Sequence, residues 1–143
     1  MGEEMTIPRE YRGASRDFDA FMLEVRDRSG LATTNQTYTV VEGVLRVFRR
    51  RLTPEEAIAF AQVLPPVLRA LFVSDWNLDE PIKTFGTRQE MTSEVKALRR
   101  DHNFATDSAI ADVATVLRRH VDAAAFERVL AGLTSGARDF WTP

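Results

Sequence analysis

Two short runs of basic residues are the side chains in this sequence best suited to bind a charged ligand. The arginine guanidinium forms paired hydrogen bonds with carboxylates and phosphates, so two such runs on one groove could hold an anion or a partner's carboxylates. The alternative is structural, because both runs fall in the last turn of a predicted helix, where positive charge interacts favourably with the helix dipole. The candidate ligand-binding residues are Arg49, Arg50, Arg51, Arg118, Arg119 and His120.

The two histidines are the candidate general acids or bases. His102 lies in a predicted turn, and His120 ends the second basic run at the edge of an apolar helix face. A histidine within hydrogen-bond reach of a carboxylate in a pocket could transfer protons. The sequence has no cysteine and no H-E-x-x-H or E-x-x-H pattern, so we expect no metal site and no cofactor. We interpret both histidines as boundary residues, with a catalytic His–carboxylate pair as the alternative.

Other chemical motifs fail on particular residues. The segment 75–79 opens like a calcium-binding loop, but Glu80 stands where glycine is needed and Gly86 where a bidentate glutamate is needed. A helix-turn-helix interpretation fails because the would-be recognition helix, 57–64, offers only Gln62 to read bases. No serine lies in a G-x-S-x-G elbow. We therefore assign no catalytic residue from the sequence.

The elements that must position these residues all show the helical pattern. Apolar residues recur with a period of about 3.6 in every strongly patterned segment, and no strand pattern occurs. Thr33 and Thr53 are each followed three residues later by a glutamine or glutamate, which is typical of a capped helix start. Gly30 can take the left-handed conformation that ends a helix. The sequence therefore predicts an all-α fold.

The segments 17–72 and 90–141 follow one plan, which indicates an internal tandem repeat. At an offset of 73 residues Met22 aligns with Val95, and at an offset of 69 the two basic runs align. We predict about eight helices, in two similar four-helix halves that form one compact, bundle-like domain. Its parts are an N-terminal tail (1–14), a first helical repeat (15–73), a linker (74–86) and a second helical repeat (87–141).

The composition is that of an ordinary globular domain, with 44% hydrophobic and 28% charged residues among 143. The net charge of −2 provides no field that favours nucleic acid or an anionic membrane. No apolar run approaches the roughly 20 residues of a membrane helix, and the N-terminus lacks the apolar core of a signal peptide. We therefore expect a cytoplasmic protein that does not associate with a membrane, and nucleic acid is a partner only in the alternative function given below.

Several segments resemble the bacterial domain-of-unknown-function 2267 family. The run PREY at residues 8–11, FDAF at 18–21 and RRLTPEEA at 50–57 carry the resemblance, together with FVSDW at 72–76 and LRRHV at 117–121. The resemblance covers nearly the whole chain, from about residue 8 to residue 141, and implies a small, helical, prokaryotic cytoplasmic protein. It implies no activity, so no residue takes a catalytic role from it.

The leading functional hypothesis is a non-enzymatic protein-interaction module that binds an unknown partner or a second copy of itself. Its expected surface is an apolar patch at the matching ends of the two repeats, formed by Phe72, Trp76, Phe140 and Trp141. One alternative is an anion or nucleic-acid binder that uses the two basic runs. The other is an enzyme that uses His120 or His102 with a nearby carboxylate.

Overall fold

The computed structural model describes residues 6–98 and 104–143. Throughout these residues the chain forms only α-helices and connecting segments, which confirms the all-α prediction. None of the described helices is both long and apolar enough to cross a bilayer. The helices of the two described ranges are α1 (Arg9–Arg12), α2 (Ala14–Ser29), α3 (Thr34–Arg49), α4 (Pro54–Ala61), α5 (Pro66–Val73), α6 (Arg88–Ala97), α7 (Ala109–Arg119), α8 (Ala123–Ala131) and α9 (Ala137–Phe140).

The longer helices begin and end where local chemistry satisfies their free backbone groups. The Thr33 hydroxyl accepts a backbone N–H at the start of α3, and Thr53 forms a full capping box with Glu56 at the start of α4. The Asp122 carboxylate accepts the backbone N–H of Ala125 at the start of α8. α2 ends at Gly30, whose φ of 70° is left-handed and therefore suits glycine.

The first two long helices of the chain each pack on a helix from the second half. α2 packs on α7, and α3 packs on α6. α4 contacts α8, and α3 also contacts α7. If α2–α5 and α6–α9 are the two predicted repeats, the first helix of each repeat packs on the second helix of the other. Both halves therefore contribute to a single hydrophobic core.

The buried positions of the first helices align at an offset of 70 residues rather than 73. The buried residues are Phe21, Met22 and Val25 in α2, and Met91, Thr92 and Val95 in α6. Thr92 is buried because its hydroxyl donates to the Arg88 carbonyl at 2.8 Å, so a pattern of apolar residues alone misses this position. The same offset aligns Glu24 with Glu94. The duplication itself stays a prediction.

An aromatic cluster fills the centre of the core. Phe60 stacks on Trp141 with ring centroids 5.6 Å apart, and Phe48 lies within 5.2 Å of both rings. Phe126 and Phe140 complete the contacts around the indole. The indole Nε1 of Trp141 finds no hydrogen-bond partner within the described part of the chain. Burial of such large rings is the main apolar stabilisation that the two halves share.

The predicted apolar surface at the ends of the repeats is wrong, because most of its residues are buried in this core. Phe72, Phe140 and Trp141 are at most 1% exposed. The helices α5 and α9 turn these rings inward, where Phe72 packs 5.2 Å from Phe60. Trp76 is partly buried against the core. Three of the four residues therefore belong to the core and offer no surface to a partner.

Candidate functional site

The first arginine of the first basic run is a buried clamp. Arg49 is 5% exposed and donates from Nη1 to the carbonyl oxygens of Phe72 at 3.0 Å and Ser74 at 2.7 Å. Its guanidinium also lies 5.3 Å from the ring centre of Trp76. Burial lowers the pKa of Arg49 from its usual range, and the like charge of Arg46 adds to this effect. Arg49 therefore ties α3 to the end of α5.

The next two arginines of this run share one carboxylate. Arg50 Nη1 lies 3.0 Å from Glu94 Oε1, and Arg51 Nη2 lies 2.7 Å from Glu94 Oε2. Lys83 Nζ also binds Glu94 Oε1 at 3.1 Å. Burial alone would raise the pKa of Glu94, but hydrogen bonds from Arg51, Lys83 and Arg50 lower it overall. Because Glu94 is on α6, these contacts tie α3 to the second half.

The second basic run begins with a similar clamp. Arg118 Nε donates to the Trp141 carbonyl at 2.8 Å, and its guanidinium lies 5.1 Å from the ring centre of Phe126. A guanidinium nitrogen also binds the carboxylate of Glu127. Arg118 therefore ties α7 to the end of α9, as Arg49 ties α3 to the end of α5.

The last two residues of the second run share a carboxylate of the first half. His120 Nε2 lies 2.9 Å from Glu24 Oε1, and Arg119 Nη1 lies 3.2 Å from Glu24 Oε2. The hydrogen bond with His120 is the largest cause of the lowered pKa of Glu24, with a smaller opposing effect of burial. The His120 ring also meets the edge of Phe21 at 5.5 Å.

The two basic runs make corresponding contacts inside the protein and do not line the same cleft. Arg49 and Arg50 line a hollow of about 40 Å³ beneath the segment 76–82, whereas Arg119 and His120 line a cleft of about 460 Å³ beside the start of α5. In both runs the second and third residues bind a glutamate from the first helix of the opposite half. His120–Glu24 thus occupies the place of the Arg51–Glu94 ion pair, which supports a structural interpretation of this histidine.

The other histidine, His102, lies outside the described residues. Across the two described ranges, no three histidine, cysteine or acidic side chains come together as candidate metal ligands.

Sequence reasoning missed an apolar groove on another face of the molecule. A hollow of about 380 Å³ lies between α2 and α3, lined mainly by Phe18, Met22, Leu23 and Tyr38. Leu23 is 42% exposed and Tyr38 is 39% exposed, so large apolar groups face the hollow from both helices. The sequence contains one sign of this groove, because Leu23 is a large apolar residue outside the apolar stripe of its helix.

A second hollow of about 270 Å³ adjoins the first, because Phe18 and Tyr38 line both. Its other wall is formed by α5 and the residue that follows it. The four lining residues lie on one face of this helix, because they are three or four residues apart. These are Val67, Ala70, Leu71 and Ser74. We call the two hollows together the apolar groove, bounded by α2, α3 and α5.

Two carboxylates lie in the lining of the apolar groove or next to it along the chain. Asp19 is the one charged residue among the described residues that line the two hollows. Asp75 directly follows Ser74 at the α5 end, and its side chain is 86% exposed. Arg46 lies near two carboxylates, Glu42 at 3.5 Å and Asp75 at 3.3 Å. Asp75 is therefore paired with Arg46, and Asp19 is the charged residue in the lining of the groove.

Comparison with known families identifies the family of this chain. A family model described as an uncharacterized conserved protein (DUF2267) matches residues 18–140. The chain belongs to the DUF2267 family. Comparison with curated proteins gives no match.

The features described above fall within the region that matches the DUF2267 model. That region includes both basic runs and begins at Phe18, the residue shared by the two hollows of the groove. It ends at Phe140, so it contains almost all of the aromatic core. The family description names no activity.

Proposed function

We propose that this protein is an interaction module that takes an amphipathic α-helix of a partner protein into the apolar groove. The observation that carries the proposal is the pair of adjoining hollows lined by exposed apolar side chains, among them Leu23 and Tyr38. Single exposed apolar residues are common on protein surfaces, but contiguous apolar concavities mark binding sites.

The shape of the groove favours a helix as the bound element. Its walls are themselves helices, and a guest helix buries its apolar face by placing anchors at positions i, i+3, i+4 and i+7 between such walls. Tyr38 suits this role because its ring gives apolar area while its hydroxyl stays hydrated. An extended strand would need a free sheet edge, and the described residues form no sheet.

The alternative functions have less support. In the first run the guanidinium groups already bond to backbone carbonyls or to Glu94, so anion binding there would have to break internal contacts. The His120–Glu24 pair has the geometry of a proton-transfer dyad. The residues lining its cleft include no serine, threonine or cysteine nucleophile, and the corresponding pair in the first half is a plain ion pair.

The proposal is tested by calorimetric titration with a synthetic helical peptide of about 16 residues, with leucines on one face and glutamines elsewhere. We expect wild type to bind with a dissociation constant of roughly 10–100 µM. Leu23→Glu and Tyr38→Glu should each weaken binding at least about tenfold, because each places a charge against the apolar face.

Ile58→Glu is the matched control, since Ile58 is 58% exposed on α4, which does not line the groove. It should bind as wild type does. Absence of binding to wild type, or equal weakening in all three variants, would refute the groove as the binding site. A dimer in sedimentation that Tyr38→Glu dissociates would replace the partner helix with a second copy of the chain.

A further inference from the structure

We propose that the cleft beside the second basic run binds a non-helical peptide segment of a partner protein, in the way that the protein's own segment 80–83 covers the first basic run. The bound segment carries an acidic residue and, three positions later, a lysine or arginine. This is a second binding site, because the residues that line its cleft differ from those that line the apolar groove.

The segment 80–83 shows how such a peptide contacts a basic run. The carboxylate of Glu80 lies 3.2 Å from Nε of Arg50, and the backbone N–H of Lys83 donates to the Arg50 carbonyl at 3.0 Å. Lys83 Nζ binds Glu94 Oε1 at 3.1 Å. The acidic residue of the segment therefore binds the arginine of the run, and its lysine binds the glutamate that the run holds.

The second basic run presents the same groups. Nη1 of Arg119 binds Glu24, as Nη1 of Arg50 binds Glu94. Among the described residues, Glu24 is the ion-pair partner of Arg119, so its Nε has no counterpart of Glu80 there. The carbonyl groups at the end of a helix also lack intrahelical partners and accept hydrogen bonds from other segments. A bound peptide can therefore make the contacts that the segment 80–83 makes.

The two runs differ in how far they are covered. The side chain of Arg119 is 61% exposed, against 25% for Arg50. The carboxylates follow the same order, with 37% of Glu24 and 14% of Glu94 exposed. The hollow beneath the linker measures about 40 Å³, whereas the cleft of the second run measures about 460 Å³. The cleft thus lies within the size range of known ligand sites, about 300–1,000 Å³.

The apolar contacts of the linker also have a counterpart in the cleft. Pro81 and Ile82 line the hollow of the first run together with Leu52, which comes two positions after the second arginine of that run. Val121 has the same position relative to the second run, and it lines the cleft. An apolar residue between the two charged residues of a bound segment can therefore pack on Val121.

The other charges of the cleft favour a segment that carries both signs. Glu10, Asp17 and Asp122 also line it, although Glu10 lies 3.8 Å from Arg69 and Asp122 caps α8. These carboxylates oppose a segment whose charges are all acidic, and they add to the attraction of a lysine. Arg119 provides the contact for the acidic residue.

The test uses a fluorescein-labelled peptide with the sequence of residues 80–86 and with blocked termini, titrated with the full-length protein. Fluorescence anisotropy should give a dissociation constant of roughly 0.1–1 mM. Within the peptide, Glu80→Gln and Lys83→Gln should each weaken binding about threefold, because each removes one charged contact.

A double-mutant cycle locates the carboxylate contact. Arg119→Gln should weaken binding of the unchanged peptide about threefold, and the Glu80→Gln peptide should bind this variant as well as the unchanged peptide does. Arg128→Gln is the matched control, because Arg128 is exposed on α8 and does not line the cleft. It should bind the peptide as wild type does.

Absence of binding to wild type, or equal weakening by Arg128→Gln and Arg119→Gln, would overturn the proposal. Arg50→Gln tests whether the peptide instead exchanges with the protein's own linker. If Arg50→Gln weakens binding as much as Arg119→Gln does, the peptide binds at the first run and the proposal is also wrong. The result leaves the apolar groove untouched, because its test uses a helical peptide and variants of other residues.

Discussion

Arg49 and Arg119 show how burial determines the contribution of one arginine to the stability of the fold. Arg49 is almost fully buried and donates hydrogen bonds to two carbonyl oxygens, those of Phe72 and Ser74. Arg119 has 61% of its side chain exposed and binds a glutamate that is itself 37% exposed. Removing a buried donor leaves its acceptors without a hydrogen bond. When one partner of an exposed ion pair is removed, water solvates the remaining charge.

We expect Arg49→Met to lower the free energy of unfolding by about 2–3 kcal/mol, because the carbonyls of Phe72 and Ser74 lose their donor. Arg119→Met is the matched control and should cost less than about 1 kcal/mol. Urea denaturation followed by far-ultraviolet circular dichroism measures both. Equal losses in the two variants would show that Arg49 is not a buried clamp.

The sequence predicts single residues well where the cause is local. The two basic runs lie at the C-terminal ends of α3 and α7, and Thr33 and Thr53 cap helices as the pattern indicates. The partners of the basic runs could not be predicted in this way. Glu94 and Glu24 are far from them along the chain, and only the packing of α3 on α6 and of α2 on α7 brings the charges together.

The contacts between α3 and α6 and between α2 and α7 both depend on a glutamate whose pKa is lowered in the folded protein. A carboxyl with a lowered folded pKa adds stability above its unfolded value, about 4.5, and this stability is lost as the pH falls through the folded pKa. Glu94 is the more buried of the two, with 14% of its side chain exposed against 37% for Glu24. It should therefore contribute more to acid sensitivity.

We expect Glu94→Gln to lower the free energy of unfolding by about 2–3 kcal/mol at neutral pH, because Arg51 then keeps a buried charge without its carboxylate. The deficit relative to wild type should narrow as the pH falls below 4.5 and through the lowered pKa of Glu94, because wild type then also loses the charge. Glu24→Gln should show the same trend with a smaller amplitude. Urea midpoints between pH 7 and pH 3 test this, and a constant deficit at all pH values would contradict it.

The crossing of α3 and α6 depends on a glycine that allows close approach. A Cβ added at Gly43 would lie 3.2 Å from Cγ1 of Val95, which is fully buried and has little room to move. Alanine would gain up to about 1 kcal/mol of helix propensity, but the clash should outweigh this gain. We expect Gly43→Ala to destabilise the protein by about 1 kcal/mol in urea denaturation.

Gly132→Ala is the control for this prediction, because its added Cβ would meet its nearest atom at an ordinary 3.6 Å. It should be neutral or slightly stabilising. A stabilising Gly43→Ala would mean that α3 and α6 can separate at little cost.

The exchange of partner helices determines how the whole molecule should unfold. Since α2 packs on α7 and α3 on α6, neither predicted repeat can bury its apolar surface alone. We expect one cooperative transition in urea for the full chain, with the same midpoint by circular dichroism and by hydrogen exchange. A fragment of residues 14–86 should be largely unfolded in circular dichroism. A fragment with its own cooperative transition would contradict a shared core.

At this scale the sequence predicts the fold class and the approximate number of helices, because helical periodicity and caps are local signals. The orientation of the halves and the inward-facing Phe72, Phe140 and Trp141 depend on which helices pair across the molecule, which no local pattern specifies. The groove was missed for the same reason. Leu23 and Tyr38 line a groove only because α2, α3 and α5 pack side by side in the folded protein.

Because the indole of Trp141 is buried, its fluorescence reports on the packing of the core. The chain has two tryptophans, and Trp76 lies at the edge of the protein against Arg49. In a Trp76→Phe protein, Trp141 would be the only tryptophan, with its ring fully buried and with no hydrogen-bond acceptor at its nitrogen among residues 6–98 and 104–143. Its fluorescence should be shifted far to the blue and should move to the red only when both halves come apart. One side chain would then report the integrity of the entire molecule.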